Sequence, residues 1–231
     1  MDIHIIFLCR YLGGTMENIK KRYHKENIVL RILNKQQKKE IKENHLIGNV
    51  MDLTVAYYYL MHREENGALV VPLTKEVQEE TGVANHDLYH VALRNSIALS
   101  QFEVSTTGDF YKALYSSINI EFPDNLLCME ALIITNDIGM GSVALLHKGV
   151  LQKIADILGG NFLIIPSSDQ EIIAIKSDNP EVGIWAWSVK NAHEHELEED
   201  VRLSDSIYFY DTDTKNCFYL NIGDFIENYN V

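Results

Sequence analysis

Cysteine and proline are scarce in this chain, and each scarcity argues against a class of protein. The three cysteines, Cys9, Cys128 and Cys217, are far apart and form no C-x-x-C pair. The sequence therefore predicts neither a disulfide framework nor a zinc ribbon, and we expect a reducing, cytoplasmic location. Four prolines among 231 residues leave no proline-rich linker between domains.

Long hydrophobic runs are also missing. The apolar run Ile3–Cys9 is interrupted by His4, with no basic segment before it and no small-residue cleavage site after it. We expect a buried strand there rather than a signal peptide, because a membrane span needs about 18 consecutive apolar residues. The sequence accordingly predicts no membrane contact.

Basic residues are few outside the first 50 positions. Those positions carry ten basic and five acidic side chains, a net charge of +5, whereas residues 51–231 carry ten basic and 28 acidic, a net charge of −18. The basic stretch Lys20–Lys42 would contact nucleic-acid phosphates only if its lysines formed one continuous face. They alternate instead with apolar residues such as Ile28 and Leu33. The acidic body would also repel DNA or RNA, so we expect no nucleic-acid binding.

Hydrophobic periodicity and turn residues predict an α+β protein. Asn66-Gly67 favours a hairpin after the strand-like run Asp52–Met61, and Thr74 and Gly82 are typical of the start and end of a short helix. The runs Ser206–Tyr210 and Cys217–Leu220 predict a final hairpin. We expect mixed, mainly antiparallel sheet elements with packed helices. They would form a single body over residues 1–231, or two lobes, 1–122 and 123–231.

Motifs for metals and cofactors are incomplete. His193 and His195 lie among acidic residues, but Leu197 occupies the position that the second histidine of an H-E-x-x-H zinc motif requires. Gly139 and Gly141 resemble the start of a dinucleotide loop that lacks its third glycine, and the chain contains no P-loop. We therefore expect no metal and no cofactor, and the catalytic residues, if any, are unknown.

Several short segments resemble one bacterial family. Phe162–Ser168 followed by Glu171-Ile172-Ile173 is similar to a "hydrophobic-Leu-Pro-Ser-Ser-x-His-Glu-Val" segment, and Leu203-Ser204-Asp205 with Tyr208 and Asp211 is similar to "Leu-Ser-Asp-x-Val-Tyr-x-Tyr-Asp". Asp52–Val55 and Leu132–Asn136 resemble its "Asp-Leu-Ala" and "Leu-Thr-Asn" strands. These segments resemble those of a domain of unknown function, number 5688. The resemblance implies an α+β protein and supplies no activity, substrate or cofactor.

The chain departs from that family in three places. Gln170 stands where the family has histidine, the stretch between Asn191 and Leu203 is longer, and the N-terminal β region is shortened to Met1–Arg10. Two interpretations of the shared polar residues stay open: they brace the scaffold, or they converge on one polar pocket. The candidate cluster consists of Ser167, Ser168, Glu171, Asn191, Ser204 and Asp205.

Charge and the incomplete motifs favour a non-enzymatic interaction protein that presents an acidic surface to a basic protein partner. A narrower version is an inhibitor from a mobile element that occupies the nucleic-acid groove of a basic enzyme. The alternative is a hydrolase or metal-dependent enzyme with a polar site around Ser167, Ser168 and Glu171, together with His193 and His195. The sequence does not define the oligomeric state.

Overall fold

The computed structural model describes residues 23–64, 67–117, 119, 121, 131–178, 182–195 and 202–229. The strands in these ranges are β1 (Ile28–Leu33), β2 (Ile47–Val50), β3 (Leu53–Glu64), β4 (Gly67–Pro72), β5 (Phe102–Thr106), β6 (Leu132–Asn136), β7 (Phe162–Ile165), β8 (Ile172–Lys176), β9 (Ser206–Asp211) and β10 (Asn216–Asn221). The α-helices are α1 (Lys35–Lys39), α2 (Lys75–Thr81), α3 (Leu88–Ala98), α4 (Thr107–Ser117), α5 (Lys148–Leu158), α6 (Val182–His195) and α7 (Ile222–Tyr229). The strand expected over Ile3–Cys9 lies outside the described residues.

The first sheet is organised around the long strand β3. β1 pairs with residues 54–59 of β3 along one edge, while β2 and β4 pair with its two halves along the other edge. The expected hairpin at Asn66-Gly67 is confirmed by the antiparallel register of β3 and β4, in which Glu64 faces Gly67.

The second sheet has six strands in the order β10-β9-β7-β8-β6-β5, and each neighbouring pair is antiparallel. The predicted hairpin of β9 and β10 is confirmed. Its turn is stabilised by Asp211, whose Oδ1 accepts hydrogen bonds from the backbone N–H groups of Asp213 and Thr214. Helices combined with antiparallel sheets confirm the α+β class.

Strand β7 is buried on both faces, as its uninterrupted apolar sequence indicates. Phe162 and Ile164 belong to a large core that also contains residues of β1, β3, α3 and α5. Leu163 and Ile165 point the other way, into a smaller core formed with α6 and α7. The second sheet therefore lies between these two cores. The division into one body or two lobes stays a prediction.

Helix α3 covers β1 through polar as well as apolar contacts. The backbone N–H of Leu30 donates to Ser96 Oγ at 2.8 Å, and Asn95 Nδ2 donates to the carbonyl of Ile28 at 3.0 Å. Both α3 side chains are buried. They therefore give hydrogen-bond partners to two buried backbone groups at the edge of β1.

Local sequence signals located helix α2 well. Thr74 accepts a hydrogen bond from Val77 N at the start of α2, and Gly82 ends the helix with a left-handed φ of 73°. Gly159 ends α5 in the same way, with a φ of 75°. In the described part of the chain, no helix combines the length and the apolar character that crossing a bilayer requires.

Candidate functional site

The short helix α1 begins at a reciprocal cap. Asn34 Oδ1 accepts from Gln37 N at 2.7 Å, and Gln37 Oε1 accepts from Asn34 N at 3.1 Å. The nitrogen of the same side-chain amide, Gln37 Nε2, donates to Asp169 Oδ2 at 2.9 Å. One side chain therefore both starts the helix and contacts the loop between β7 and β8.

Charged residues from three distant segments meet around α1. Arg31, within β1, pairs with Asp169, and its Nε donates to Asp169 Oδ2 at 3.0 Å. Lys35 Nζ lies 3.5 Å from Asp205 Oδ2 in the segment before β9. We call Arg31, Lys35, Gln37, Asp169 and Asp205 the polar junction. It joins the first sheet to two loops of the second through opposite charges.

A second group extends from the polar junction toward β3. Asp52 accepts hydrogen bonds from Ser204 Oγ and from the phenol of Tyr208. Ser204 Oγ in turn accepts from Ser206 N at 2.9 Å. Tyr208 is fully buried, and burial followed by its bond to Asp52 raises the pKa of the phenol far above its usual value. The phenol therefore stays protonated and donates a hydrogen bond to Asp52.

The loop between β7 and β8 contains the predicted residues Ser167, Ser168 and Glu171. Ser167 Oγ donates to Glu171 Oε1 at 2.9 Å, and Ser168 Oγ accepts from Gln170 N at 3.1 Å. The first contact links two side chains and the second stabilises the turn itself. The Ser167 hydroxyl is therefore paired with a carboxylate, and Gln170 contributes its backbone N–H to the turn.

The same loop packs closely against the turn after β6. Ser142 Oγ donates to the Asp169 carbonyl at 2.8 Å. A Cβ at Gly141 would lie only 2.1 Å from the carbonyl oxygen of Gln170 and 2.8 Å from Thr135 Cα. Only glycine permits this approach. The contacts of Gly141 and Ser142 therefore hold the loop that carries Asp169 in place.

The predicted cluster is distributed over three parts of the fold. Ser167, Ser168 and Glu171 lie in the β7–β8 loop, Ser204 and Asp205 precede β9, and Asn191 lies in α6, where it is half-buried. Ser204 and Asp205 join the groups around α1 and Asp52. The choice between scaffold and pocket for the whole cluster stays a prediction.

The histidine-rich segment lies at the end of α6. His193 and His195 are helical, but their side chains lie outside the described set, as do residues 196–200. Within the described set, no group of three or more histidine, cysteine or acidic side chains could hold a metal ion.

Sequence reasoning missed Arg31, Gln37 and Asp169 as a site. Arg31 and Asp169 are separated by 138 positions, and neither lies in a motif with a recognisable spacing. The signal that could have found Gln37 is local: Asn34 followed three residues later by glutamine is a capping box.

Of three comparisons with known proteins, one places the chain in a sequence family. No curated protein matches it, and no solved structure matches it. A family model described as a family of unknown function, DUF5688, matches residues 15–212. The match includes the β7–β8 loop, the segment before β9 and all of β9, which are among the regions of the resemblance noted above. The chain therefore belongs to the DUF5688 family of unknown function.

Proposed function

We propose that the protein is a non-enzymatic, cytoplasmic interaction module that binds a basic, extended segment of a partner protein along β10. The observation that carries this proposal is the exposure of β10, which forms one end of the six-stranded sheet. Phe218, Tyr219 and Leu220 are 52%, 50% and 42% exposed. An edge strand with exposed aromatic side chains is the surface that β-strand addition uses.

Charge supports a basic occupant. The hairpin and helix around β10 carry Asp211, Asp213, Asp224 and Glu227 against Lys215. Lys148 also approaches the strand, where its Nζ donates to Asn216 Oδ1 at 3.2 Å. The surroundings remain acidic, in line with the net charge of −18 over residues 51–231. Such a field would attract a lysine- or arginine-rich segment and repel an acidic one.

A selection from a display library of random peptides tests the proposal. We expect enrichment of peptides with alternating apolar residues and an excess of lysine and arginine. Isothermal titration should then show affinity that falls with added salt. Tyr219→Glu and Phe218→Glu should weaken binding about tenfold or more, whereas Ile157→Glu, at a 58% exposed position on α5, is the matched control.

Two results would overturn this proposal. Selected peptides without excess positive charge would show that the bound segment is not basic. An equal loss of affinity in Ile157→Glu would show that β10 is not the binding surface. The inhibitor of a basic enzyme is a narrower form of the same proposal, in which the partner's nucleic-acid groove supplies the positive charge.

A hydrolase is the second candidate, favoured by the 2.9 Å contact from Ser167 Oγ to Glu171 Oε1. A serine activated in this way would react with a fluorophosphonate probe. Labelling that Ser167→Ala abolishes and Ser168→Ala leaves intact would support the enzyme. Wild-type protein that is not labelled, or is labelled equally in Ser167→Ala, would reject it.

A further inference from the structure

A cavity of about 570 Å³ lies between the β1–α1 region, the segment 40–46, β4 and α2. Its volume falls within the range of small-molecule sites, about 300–1,000 Å³. Val71, Pro72 and Val77 give it an apolar wall, while His45, Tyr58 and other polar side chains form the rest. This combination of an apolar wall with a few polar groups is typical of ligand pockets.

His45 is a buried polar group in this wall with one unused ring nitrogen. The residue is 7% exposed, and its Nε2 lies 2.8 Å from the carbonyl oxygen of Tyr57. A carbonyl oxygen only accepts, so Nε2 carries the proton, and in the neutral ring Nδ1 is an acceptor. Among the described residues, Nδ1 has no hydrogen-bond partner.

The protonation state of His45 favours this acceptor role. Burial lowers the pKa of the imidazole, an effect that the bond to the Tyr57 carbonyl only partly offsets. The ring is therefore neutral near pH 7, and Nδ1 would accept a hydrogen bond from a hydroxyl or N–H group.

Aromatic surface lies next to this acceptor. The rings of His45 and Tyr58 meet edge to face, with centroids 4.8 Å apart, and Tyr58 also lines the cavity. Burial raises the pKa of the Tyr58 phenol, so it remains protonated at neutral pH. A flat ring would find both contact area and polar anchors here.

The charge around the cavity is opposite to that of the whole chain. The charged residues that line it are Arg31, Lys42 and Glu40, a net charge of +1, against −13 for the chain. Arg31 is already paired with Asp169. Lys42 is exposed and lines the cavity, as does Glu40. An anionic group would therefore be drawn toward Lys42.

We propose that this cavity binds a small ring-shaped organic anion that carries a hydroxyl or N–H group. The donor group bonds to His45 Nδ1, the ring packs against Tyr58 and the apolar wall, and the anion lies near Lys42. The site is separate from β10, so this proposal does not depend on the proposed function.

The test uses the full chain and three probes, each with a partner that lacks the charge: 4-hydroxybenzoate with phenol, adenosine 5′-monophosphate with adenosine, and glucose 6-phosphate with glucose. Binding is measured by NMR on protein labelled with ¹⁵N-histidine. At least one anion should bind more tightly than its neutral partner, and its binding should shift the Nδ1 resonance of His45.

Variants of the cavity wall locate the site. Lys42→Gln should weaken binding of the anion about fivefold and leave binding of its neutral partner unchanged. Lys153→Gln, on the exposed face of α5, is the control and should change neither affinity. Val71→Trp should abolish binding by filling the cavity. Thermal unfolding of each variant shows whether it is folded.

Three results would overturn the proposal. The first is that none of the anions binds at millimolar concentration. The second is that a bound anion does not shift the Nδ1 resonance of His45. The third is that Lys42→Gln and Lys153→Gln weaken binding equally. Neither the library selection nor the β10 variants affect these readouts, so the two proposals fail or succeed separately.

Discussion

The phenol of Tyr208 donates a hydrogen bond to the carboxylate of Asp52, which joins the buried face of β9 to the turn before β3. The two residues are 156 positions apart in sequence. Ser204 donates to the same carboxylate. Both asparagine and alanine at position 52 would therefore change the pairing of a fully buried tyrosine.

Tyr208→Phe should lower the free energy of unfolding by about 1.5–3 kcal/mol, the range for a buried hydrogen bond to a charged group. Urea denaturation measures the loss, and Tyr219→Phe on the exposed strand β10 is the control. A double-mutant cycle with Asp52→Asn should show that the two losses are not additive. Additive losses would contradict a direct bond.

Asp169→Ala should destabilise the fold more than removal of an exposed ion pair. The Asp169 side chain is 12% exposed and serves both Arg31 and Gln37, so we expect a loss of about 2–4 kcal/mol. The exposed i,i+4 pair of Lys75 and Glu79 is the comparison, and Glu79→Ala should cost less than about 0.5 kcal/mol. Equal losses in urea denaturation would show that the polar junction adds little.

Gly141→Ala should be strongly destabilising, by about 3 kcal/mol, because the new methyl group would overlap the backbone of Gln170 and Thr135. Gly160 has nothing within 4 Å of the corresponding position, so Gly160→Ala is its matched control and should be nearly neutral. Thermal unfolding of both variants makes the measurement. A small effect at Gly141 would mean that the β7–β8 loop can move to accommodate the added methyl group.

Stability should decrease in acid partly through His147, the cap of α5. His147 Nδ1 accepts from Val150 N at 3.3 Å, and burial followed by Lys153 lowers the pKa of the imidazole. The unfolded chain therefore binds the proton more readily, so this contribution is complete above the unfolded pKa of about 6.5 and is lost as the pH falls through the lowered folded pKa.

His147→Asn supplies a cap without a titratable group. The variant should show a shallower decrease of the free energy of unfolding between pH 7.5 and about 5, measured in urea at each pH. Part of the slope should remain, because the pKa of His45 is lowered too. An unchanged slope would assign the acid sensitivity to other groups.

Local sequence signals predicted local structure well. Thr74 and Gly82 predicted the bounds of α2, and Asn66-Gly67 predicted the hairpin of β3 and β4. β5 was missed, although Phe102–Ser105 alternates between apolar and polar residues. α7 was missed because eight residues give little room for helical periodicity.

The candidate sites depended on contacts that no local pattern contains. Asp205 was named from the resemblance, yet its partner Lys35 lies 170 positions away. His45 is a single histidine in a segment without a motif. Only its bond to the Tyr57 carbonyl shows that Nδ1 is the ring nitrogen available to accept a hydrogen bond. Such sites follow from chain topology, which charge counts and periodicity do not specify.

The sequence separation within the polar junction has a consequence for synthesis on the ribosome. Asp169 follows Arg31 by 138 residues, an interval of about 7–28 s at 5–20 residues per second. During that time Arg31 and Gln37 do not yet have Asp169 as a partner. Lys35 acquires its partner Asp205 later still, 170 residues after itself, so the order of synthesis sets the order in which the contacts of the polar junction can form.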